Sequence, residues 1–252
     1  MGVTRLALVA LAALAAGLVN AIAGGGSLLS FPALVAAGLP GVTASVTNTV
    51  ALCPGYLGGT FAQRGDLAGQ GRRIRLLLPA GVLGGGVGAL LLLASGDAVF
   101  DVVVPFLLLF AVVLLALQDR LRAFVLTRPR GAGSETWAIV PVALAAVYGG
   151  YFGAGLGVIV LAVLAVVIDD SFTRLNALKQ CVSLAVNLSA AIAFLFSGRI
   201  DWTLTLVMAV SALIGGAIGG AIASRVPARL LRGIVIAVGL AVSAVYFARL
   251  GS

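Results

Sequence analysis

The sequence contains no histidine, only two cysteines and few charged residues. Charged side chains make up 10% of the 252 residues and hydrophobic ones 62%. A soluble domain of this length carries about a quarter of its residues as charged ones, so the composition excludes an ordinary soluble globular protein. Without histidine or a CxxC motif we expect no metal site, and we predict no cofactor. The cysteines, Cys53 and Cys181, lie in apolar segments and are interpreted as small buried hydrophobic residues.

Long apolar runs alternate with short charged loops along the whole chain. The net charge of +8 does not indicate nucleic-acid binding, because the basic residues are scattered through these loops. The pattern is typical of a polytopic helical membrane protein, and the lipid bilayer is therefore its first predicted partner. We predict an all-α fold with about eight to ten membrane segments. The apolar segments are 5–22, 27–38, 42–62, 74–95, 98–118, 136–150, 154–168, 175–197, 203–223 and 228–249.

Arginine-rich loops predict the orientation of these segments. Three loops, 64–75, 119–135 and 225–232, are rich in arginine, whereas the connection 96–101 holds two aspartates and no basic residue. The positive-inside rule places the three basic loops in the cytoplasm. Counting from these anchors, the segment pairs at 5–38 and 136–168 each begin and end on one side. Each pair is thus a hairpin, which either re-enters or spans the membrane twice.

The two halves of the chain have the same plan in opposite orientations. We predict a first transmembrane repeat at 1–118, a basic cytoplasmic linker at 119–135 and a second, inverted repeat at 136–252. Each repeat consists of a glycine-broken hairpin and three transmembrane helices. The string NAIAGGGSLL at 20–29 matches GGYFGAGLGV at 149–158, which supports the same division. The beginning of the chain imitates a cleavable signal peptide, but we expect it to be retained because it has this internal counterpart.

Glycine-rich breaks precede the segments 27–38 and 154–168, which are too short to cross the ~30 Å hydrocarbon core comfortably. In hydrocarbon, irregular backbone survives only where protein or trapped water satisfies it, and paired broken helices are typical of transporter sites. The short helices beginning near Ser27 and Gly157 would offer free N–H groups and the positive end of a helix dipole to an anion. Other glycines are interpreted as sites of close helix packing, namely Gly84, Gly88, Gly215 and Gly219.

Lys179 is the only lysine in the chain, and it lies in an apolar segment. An ionisable group there is a candidate functional residue. The alternatives are a salt bridge to Asp169 or Asp170, or snorkelling of the ammonium group to the cytoplasmic interface. The corresponding helix of the first half carries its own polar residues, and we expect Pro54 to break it.

The strings GLVNAIAGGGSLLSFPALVAAGLP and SVTNTV, then VYGGYFGAGLGVIVL and NALKQCVSLAVNLSAAIAFLFSGRIDW, resemble the two repeat signatures of the sulfite exporter TauE/SafE-like family. This family is also grouped as toluene-sulfonate uptake permeases, and the resemblance covers nearly the whole chain. It implies an inner-membrane permease for sulfite, sulfonates or similar anions, with the glycine turns and the following polar motifs as the substrate region. Lys179 falls at the lysine of the second signature. The sequence departs from that signature at Asn176 and Leu178, which leaves the substrate open.

The leading hypothesis is a secondary permease, and not an enzyme, that holds a small anion at the paired turns near the midplane. An intramembrane enzyme using a Ser183/Lys179 pair and a passive anion channel are the alternatives. An oligomer is compatible with the sequence, and the transport direction and coupling ion stay open. The predicted substrate-binding residues are Asn20, Gly24, Gly25, Gly26, Ser27, Thr47, Asn48, Thr49, Gly153, Gly155, Gly157, Asn176, Lys179, Gln180, Ser183 and Asn187.

Overall fold

Helices account for almost all of the described residues in the computed structural model. The structure describes residues 2–127, 135–226 and 228–250, and these ranges contain no strand. Two short 3₁₀ turns lie at Arg64–Leu67 and Glu135–Ala138. The all-α prediction is confirmed. The α-helices are α1 (Val3–Ile22), α2 (Ser27–Ala36), α3 (Gly41–Ala62), α4 (Gly71–Thr127), α5 (Ile139–Tyr151), α6 (Leu156–Val167), α7 (Phe172–Leu195), α8 (Trp202–Ile222) and α9 (Ala228–Leu250).

Five of these helices are long and apolar enough to cross a membrane, namely α1, α4, α7, α8 and α9. This agrees with the predicted multi-pass membrane protein. In contrast, α2 and α6 have 10 and 12 residues. At about 1.5 Å per residue, they reach roughly half-way through a ~30 Å hydrocarbon layer. Both predicted short segments are therefore present, each directly after a glycine-rich turn.

The long helix α4 folds back on itself at one residue. Gly96 has φ 69° and ψ 179°, which is outside the helical region, so α4 consists of two helical parts. Arg73 in the first part pairs with Asp170, while Gln118 in the second part lines a cavity with Phe172. Both ends of α4 thus return to one side of the molecule. The predicted segments 74–95 and 98–118 correspond to these two parts.

The prediction that Pro54 breaks its helix is wrong, because α3 continues through it. A proline removes one i→i−4 backbone hydrogen bond, and membrane helices tolerate this where other groups satisfy the freed carbonyl oxygens. Two nearby side chains of α3 donate to backbone oxygens one turn earlier. Thr49 Oγ1 donates to Ser45 O at 3.0 Å, and Cys53 Sγ donates to Thr49 O at 3.3 Å. Cys53 and Cys181 are free and half-buried.

Close glycine contacts hold the helices together, as predicted for the small-residue motifs. Helix α8 packs against α1 and α3, and the first part of α4 packs against α5 and α7. A Cβ atom built on Gly216 would lie 2.0 Å from the Gly55 carbonyl oxygen, so the two backbones touch without side chains between them. Similar approaches, with 2.0 to 2.7 Å to a carbonyl oxygen, occur at Gly84, Gly88, Gly215 and Gly219.

An ion cluster occupies one side of the molecule, which we call the arginine-rich face. Arg73 pairs with Glu135 at 2.8 Å and also with Asp170, and Arg174 lies 3.0 Å from the same Asp170 carboxylate. On the opposite side, Arg199 pairs with Asp97, in the connection 96–101, at 2.7 Å. Arg128 and Arg130 of the predicted basic linker lie outside the described residues.

Burial alone would raise the pKa of Asp170, but hydrogen bonds from Arg73, Arg174 and the Ser171 N–H outweigh it and lower the pKa below its usual value. A carboxylate whose pKa is lower in the folded state adds stability above its unfolded pKa of about 4. That stability is lost as the pH falls through the folded pKa.

Replacing Asp170 with asparagine (Asp170→Asn) should destabilise the protein by about 1–3 kcal/mol at neutral pH, because two guanidinium groups lose a charged partner. The variant should also lose part of the parent's fall in stability below about pH 4. Thermal unfolding in detergent at pH 7 and pH 3.5 measures both effects. Asp66→Asn, on the same face, is the control. Equal acid sensitivity in the parent and Asp170→Asn would contradict the assignment.

Gly216→Ala should destabilise the protein by more than about 2 kcal/mol, because the added methyl group meets the Gly55 carbonyl oxygen. Gly233→Ala in α9 is the matched control, since nothing lies within 4 Å of its Cβ position. Its effect should stay within about 1 kcal/mol. Melting temperatures of the two variants in the same detergent make the comparison, and equal values would contradict the backbone contact.

Candidate functional site

The two glycine breaks meet in the interior of the protein. A Cβ atom built on Gly24 would lie 3.0 Å from Val158 N and 3.2 Å from Gly157 Cα. Gly25 and Gly155 both face the second part of α4, with 3.4 Å from each Cβ position to Leu115 and Ala111 respectively. The chain reversals at the ends of α1 and α5 therefore converge on each other and on one helix.

The two breaks share a hydrogen-bond pattern at matching positions. The Gly24 N–H donates to Val19 O at 2.9 Å, and the Gly153 N–H donates to Tyr148 O at 3.4 Å. Gly26 O and Gly155 O each accept from the N–H groups three and four residues later, at 2.9 to 3.3 Å. The φ angles of Gly24, Gly25, Gly153 and Gly155 are all positive, between 78° and 89°. This conformation strongly favours glycine.

Asn20 closes the first break with two hydrogen bonds. Its Oδ1 accepts from the Gly26 N–H at 2.7 Å, and its carbonyl oxygen accepts from Lys179 Nζ at 3.0 Å. One of the N–H groups predicted to be free for an anion is therefore occupied by a side chain. Lys179 is 0% exposed, and its methylene carbons lie 3.5 to 3.8 Å from the Cβ position of Gly157. The lysine thus contacts both breaks.

The last carbonyl groups of α1 have buried side-chain donors. Besides the bond from Lys179 to Asn20 O, Asn176 Nδ2 donates to Ala21 O at 3.0 Å. Gln118 Nε2 donates to Ala23 O at 3.1 Å. Carbonyl groups at a helix C-terminus lack partners within the helix and carry the negative end of the dipole, so a cation and amide donors stabilise them.

Lys179 therefore fits neither alternative, the salt bridge to an aspartate or snorkelling to the cytoplasmic interface. Its ammonium group contacts a main-chain oxygen, and Lys179 is in none of the salt bridges found among the described residues. It does not snorkel, because the whole residue is buried. Ser183 Oγ has no hydrogen-bond partner within the described ranges, so the Ser183/Lys179 pair is not hydrogen-bonded.

A line of polar side chains runs between α3 and α7. Asn176 Nδ2 donates to Gln63 Oε1 at 2.7 Å, and Gln180 lies against Gly59. Asn187 Nδ2 donates to Ser183 O at 2.9 Å within α7, and Tyr56 is buried in α3. Several atoms along this line have no partner in the described part of the chain, namely Asn48 Oδ1, Asn176 Oδ1, Gln180 Nε2, Gln180 Oε1 and Ser183 Oγ. The predicted polar residues of α7 and Asn48 are all buried in this region or at the breaks.

Two predicted threonines have other surroundings, while Ser27 lies at the first break. Thr47 Oγ1 accepts from the Asp201 N–H at 3.1 Å, at the start of α8 and away from the arginine-rich face. Thr49 donates within its own helix, as described above. Ser27 begins α2 and is buried next to Gly26. Among the described residues, the hydrogen bonds of Thr47 and Thr49 therefore do not connect them to the glycine breaks.

Sequence analysis missed Gln118, Gln63 and Tyr56. Gln118 is the last residue of the predicted segment 98–118 and was not predicted as part of the site, although it is only 8% exposed. Gln63 follows α3 directly, and Tyr56 lies within it. The signal available in the sequence was a glutamine inside the end of an apolar segment, because a polar group that becomes buried there needs a partner.

A cavity of about 240 Å³ opens from the arginine-rich face toward the first break. Its wall includes the last residue of α1 and both amide side chains that bond to the end of that helix. Among the described residues, no group of three or more histidine, cysteine, aspartate or glutamate side chains could hold a metal ion. The lining residues are Ile22, Gln118, Asp119, Phe172, Thr173, Asn176, Ala223, Ser224, Val226 and Arg232.

Comparison with known proteins gives one family and several relatives. The model of the family described as "Sulfite exporter TauE/SafE" matches residues 9–246. A "Probable membrane transporter protein" of Haemophilus influenzae is 25% identical over 244 residues, which cover 97% of this chain and 95% of the relative. "Probable membrane transporter protein YfcA" of Escherichia coli strain K12 is 24% identical over 234 residues, covering 92% and 86%. No solved structure gives a significant match.

Gly24→Ala and Gly38→Ala separate backbone strain from the contact between the breaks. Both residues have positive φ, at 81° and 99°, so an alanine should cost about 1–2 kcal/mol at either position. Only Gly24 has backbone atoms of the other break within 3.2 Å of its Cβ position, whereas Gly38 has nothing within 4 Å. Gly24→Ala should therefore destabilise the protein by a further ~1–3 kcal/mol. Thermal unfolding of both variants tests this, and equal losses would contradict the contact.

Proposed function

The chain belongs to the sulfite exporter TauE/SafE family, and on that premise we propose that it is a secondary permease for small sulfur-containing or related anions, such as sulfite or organosulfonates. The family and the relatives make it a multi-pass membrane transporter and not an enzyme. We place it in the cytoplasmic membrane, with the arginine-rich face toward the cytoplasm, on the positive-inside argument.

The buried ammonium group of Lys179 at the meeting point of the two breaks is the observation that carries this proposal. A cation inside the bilayer is expensive, and in membrane proteins such groups mark substrate and ion pathways. Here the group contacts Asn20 O at the first break and lies beside Gly157 at the second. A small anion between the breaks would gain a charged partner that contacts both halves of the protein.

We infer that the substrate competes with Asn20 for its partners. Asn20 Oδ1 occupies the Gly26 N–H, and Asn20 O occupies the Lys179 ammonium group. An oxyanion offers stronger acceptors for both donors, because hydrogen bonds between charged groups are about twice as strong as neutral ones. In the substrate-free protein these asparagine bonds keep the buried donors satisfied. Gln180 Nε2 and Ser183 Oγ, which have no partner in the described part of the chain, supply further donors along the path.

We also propose that residues 1–118 and 136–252 form an inverted repeat whose halves rock against each other. The matching hydrogen bonds at the breaks support this. So do the paired glycine contacts, in which Gly84 and Gly88 approach α5 while Gly215 and Gly219 approach α1. In such folds alternating access is largely rigid-body motion around a fixed central site.

Uptake into proteoliposomes tests the function, with sulfite, sulfate, methanesulfonate and acetate compared at equal concentration. Lys179→Met should lower the initial uptake rate of the preferred anion roughly tenfold or more, since a charge-assisted hydrogen bond is worth about 1.5–3 kcal/mol. Lys179→Arg should retain part of the activity. Arg64→Met, which removes an exposed positive charge, is the control and should transport like the parent.

Two outcomes would contradict the proposal. If none of the four anions enters faster than into protein-free liposomes, the substrate class is wrong. If Lys179→Met transports as well as Arg64→Met, the position of the site is wrong. Flux that rises without saturation would instead indicate a passive channel.

A further inference from the structure

Arg232 is a buried guanidinium group in the wall of the cavity at the arginine-rich face. It pairs with Asp119 at 2.8 Å, and the two side chains differ in exposure, at 8% for Arg232 and 43% for Asp119. Arg232 Nε has no hydrogen-bond partner within the described ranges. The pair therefore joins a fixed, buried cation to a carboxylate that water already reaches.

The cavity leads from this ion pair to the first break. Its inner wall includes Ile22, the last residue of α1, together with Gln118 and Asn176. Both amides donate to carbonyl groups at the end of α1, and an amide nitrogen that donates to a carbonyl leaves its oxygen on the other side. Gln118 Oε1 and Asn176 Oδ1 have no partner in the described part of the chain. Two amide groups whose oxygens lack partners in the described part of the chain thus lie between the cavity and the break.

We propose that this cavity is the vestibule through which the anion passes on the arginine-rich side, and that Arg232 binds the anion there in exchange for Asp119. The proposal rests on the proposed function, because the vestibule serves the central site. A guanidinium group presents several N–H donors in a plane that matches an oxyanion. When a small oxyanion replaces the carboxylate, Asp119 turns to water, and the buried charge of Arg232 stays neutralised throughout.

The volume and lining of the cavity fit this occupant. A water molecule takes about 30 Å³ of liquid volume, so a cavity of about 240 Å³ has room for a small oxyanion with part of its hydration shell. Thr173 and Ser224 add hydroxyl groups to the wall. The ion pair joins α4 to α9 at the wall of the cavity.

Protection of an engineered thiol measures occupancy of the vestibule without relying on transport. Ser224→Cys is introduced into a Cys53→Ala, Cys181→Ala background, and purified protein in detergent is labelled with a charged thiol reagent. Sulfite is replaced by methanesulfonate as the probe, because sulfite itself reacts with disulfides and thiol reagents. We expect millimolar methanesulfonate to slow labelling at least threefold. Arg232→Gln should abolish the protection, Arg232→Lys should keep part of it, and Asp119→Asn should lower the half-protecting concentration.

Arg72→Gln, which removes an exposed arginine from the same face, is the matched control and should be protected like the parent. Protection that is equal in Arg232→Gln and Arg72→Gln would overturn the proposal, as would absence of protection in the parent. Protection that depends on Arg232 in a protein without anion uptake would support the vestibule and contradict the proposed function. Anion uptake without protection of the thiol would support the proposed function and contradict the vestibule.

Discussion

A broken helix inside a bilayer requires partners for its main-chain groups, and this requirement shapes the centre of the molecule. Helix α1 ends at the first glycine break, and its last residues are buried there, with carbonyl groups that have no partner within the helix. The donors come from two other helices, with Lys179 and Asn176 on α7 and Gln118 on α4. The position of the break thus dictates which helices surround it and places a positive charge beside it.

Glycine residues allow the helices and the two breaks to pack closely enough for this arrangement. The breaks can meet because Gly24 and Gly157 have no side chains. The surrounding helices approach each other through two glycine pairs, Gly55 with Gly216 and Gly85 with Gly150. In lipid, helices gain little from hydrophobic burial and associate through close contacts of this kind. Polar donors and small residues therefore work together: the first satisfy the irregular backbone, and the second bring it close enough to be satisfied.

Hydropathy and glycine spacing were sufficient to predict the helices, the two short segments and the positions of the breaks, because these depend on local sequence. The contacts of single side chains depend on tertiary structure. Pro54 was expected to break α3, but the helix continues through it. Lys179 was expected to face an anion, a carboxylate or the interface, and it contacts a backbone oxygen that no residue type reveals. Gln118 was not predicted as part of the site, because its bond to Ala23 O likewise depends on tertiary structure.

The contact between Gly24 and Gly157 has a consequence for how such proteins diversify. A crossing made only of main chain offers no side chain that mutation could reshape around a different solute. On the proposed function, discrimination among solutes would then change in the surrounding shell, for example at Gln180, Asn48 or the residues that face the cavity. Selectivity could drift across a lineage while the central crossing keeps its geometry, so one architecture can serve many chemically distinct cargoes.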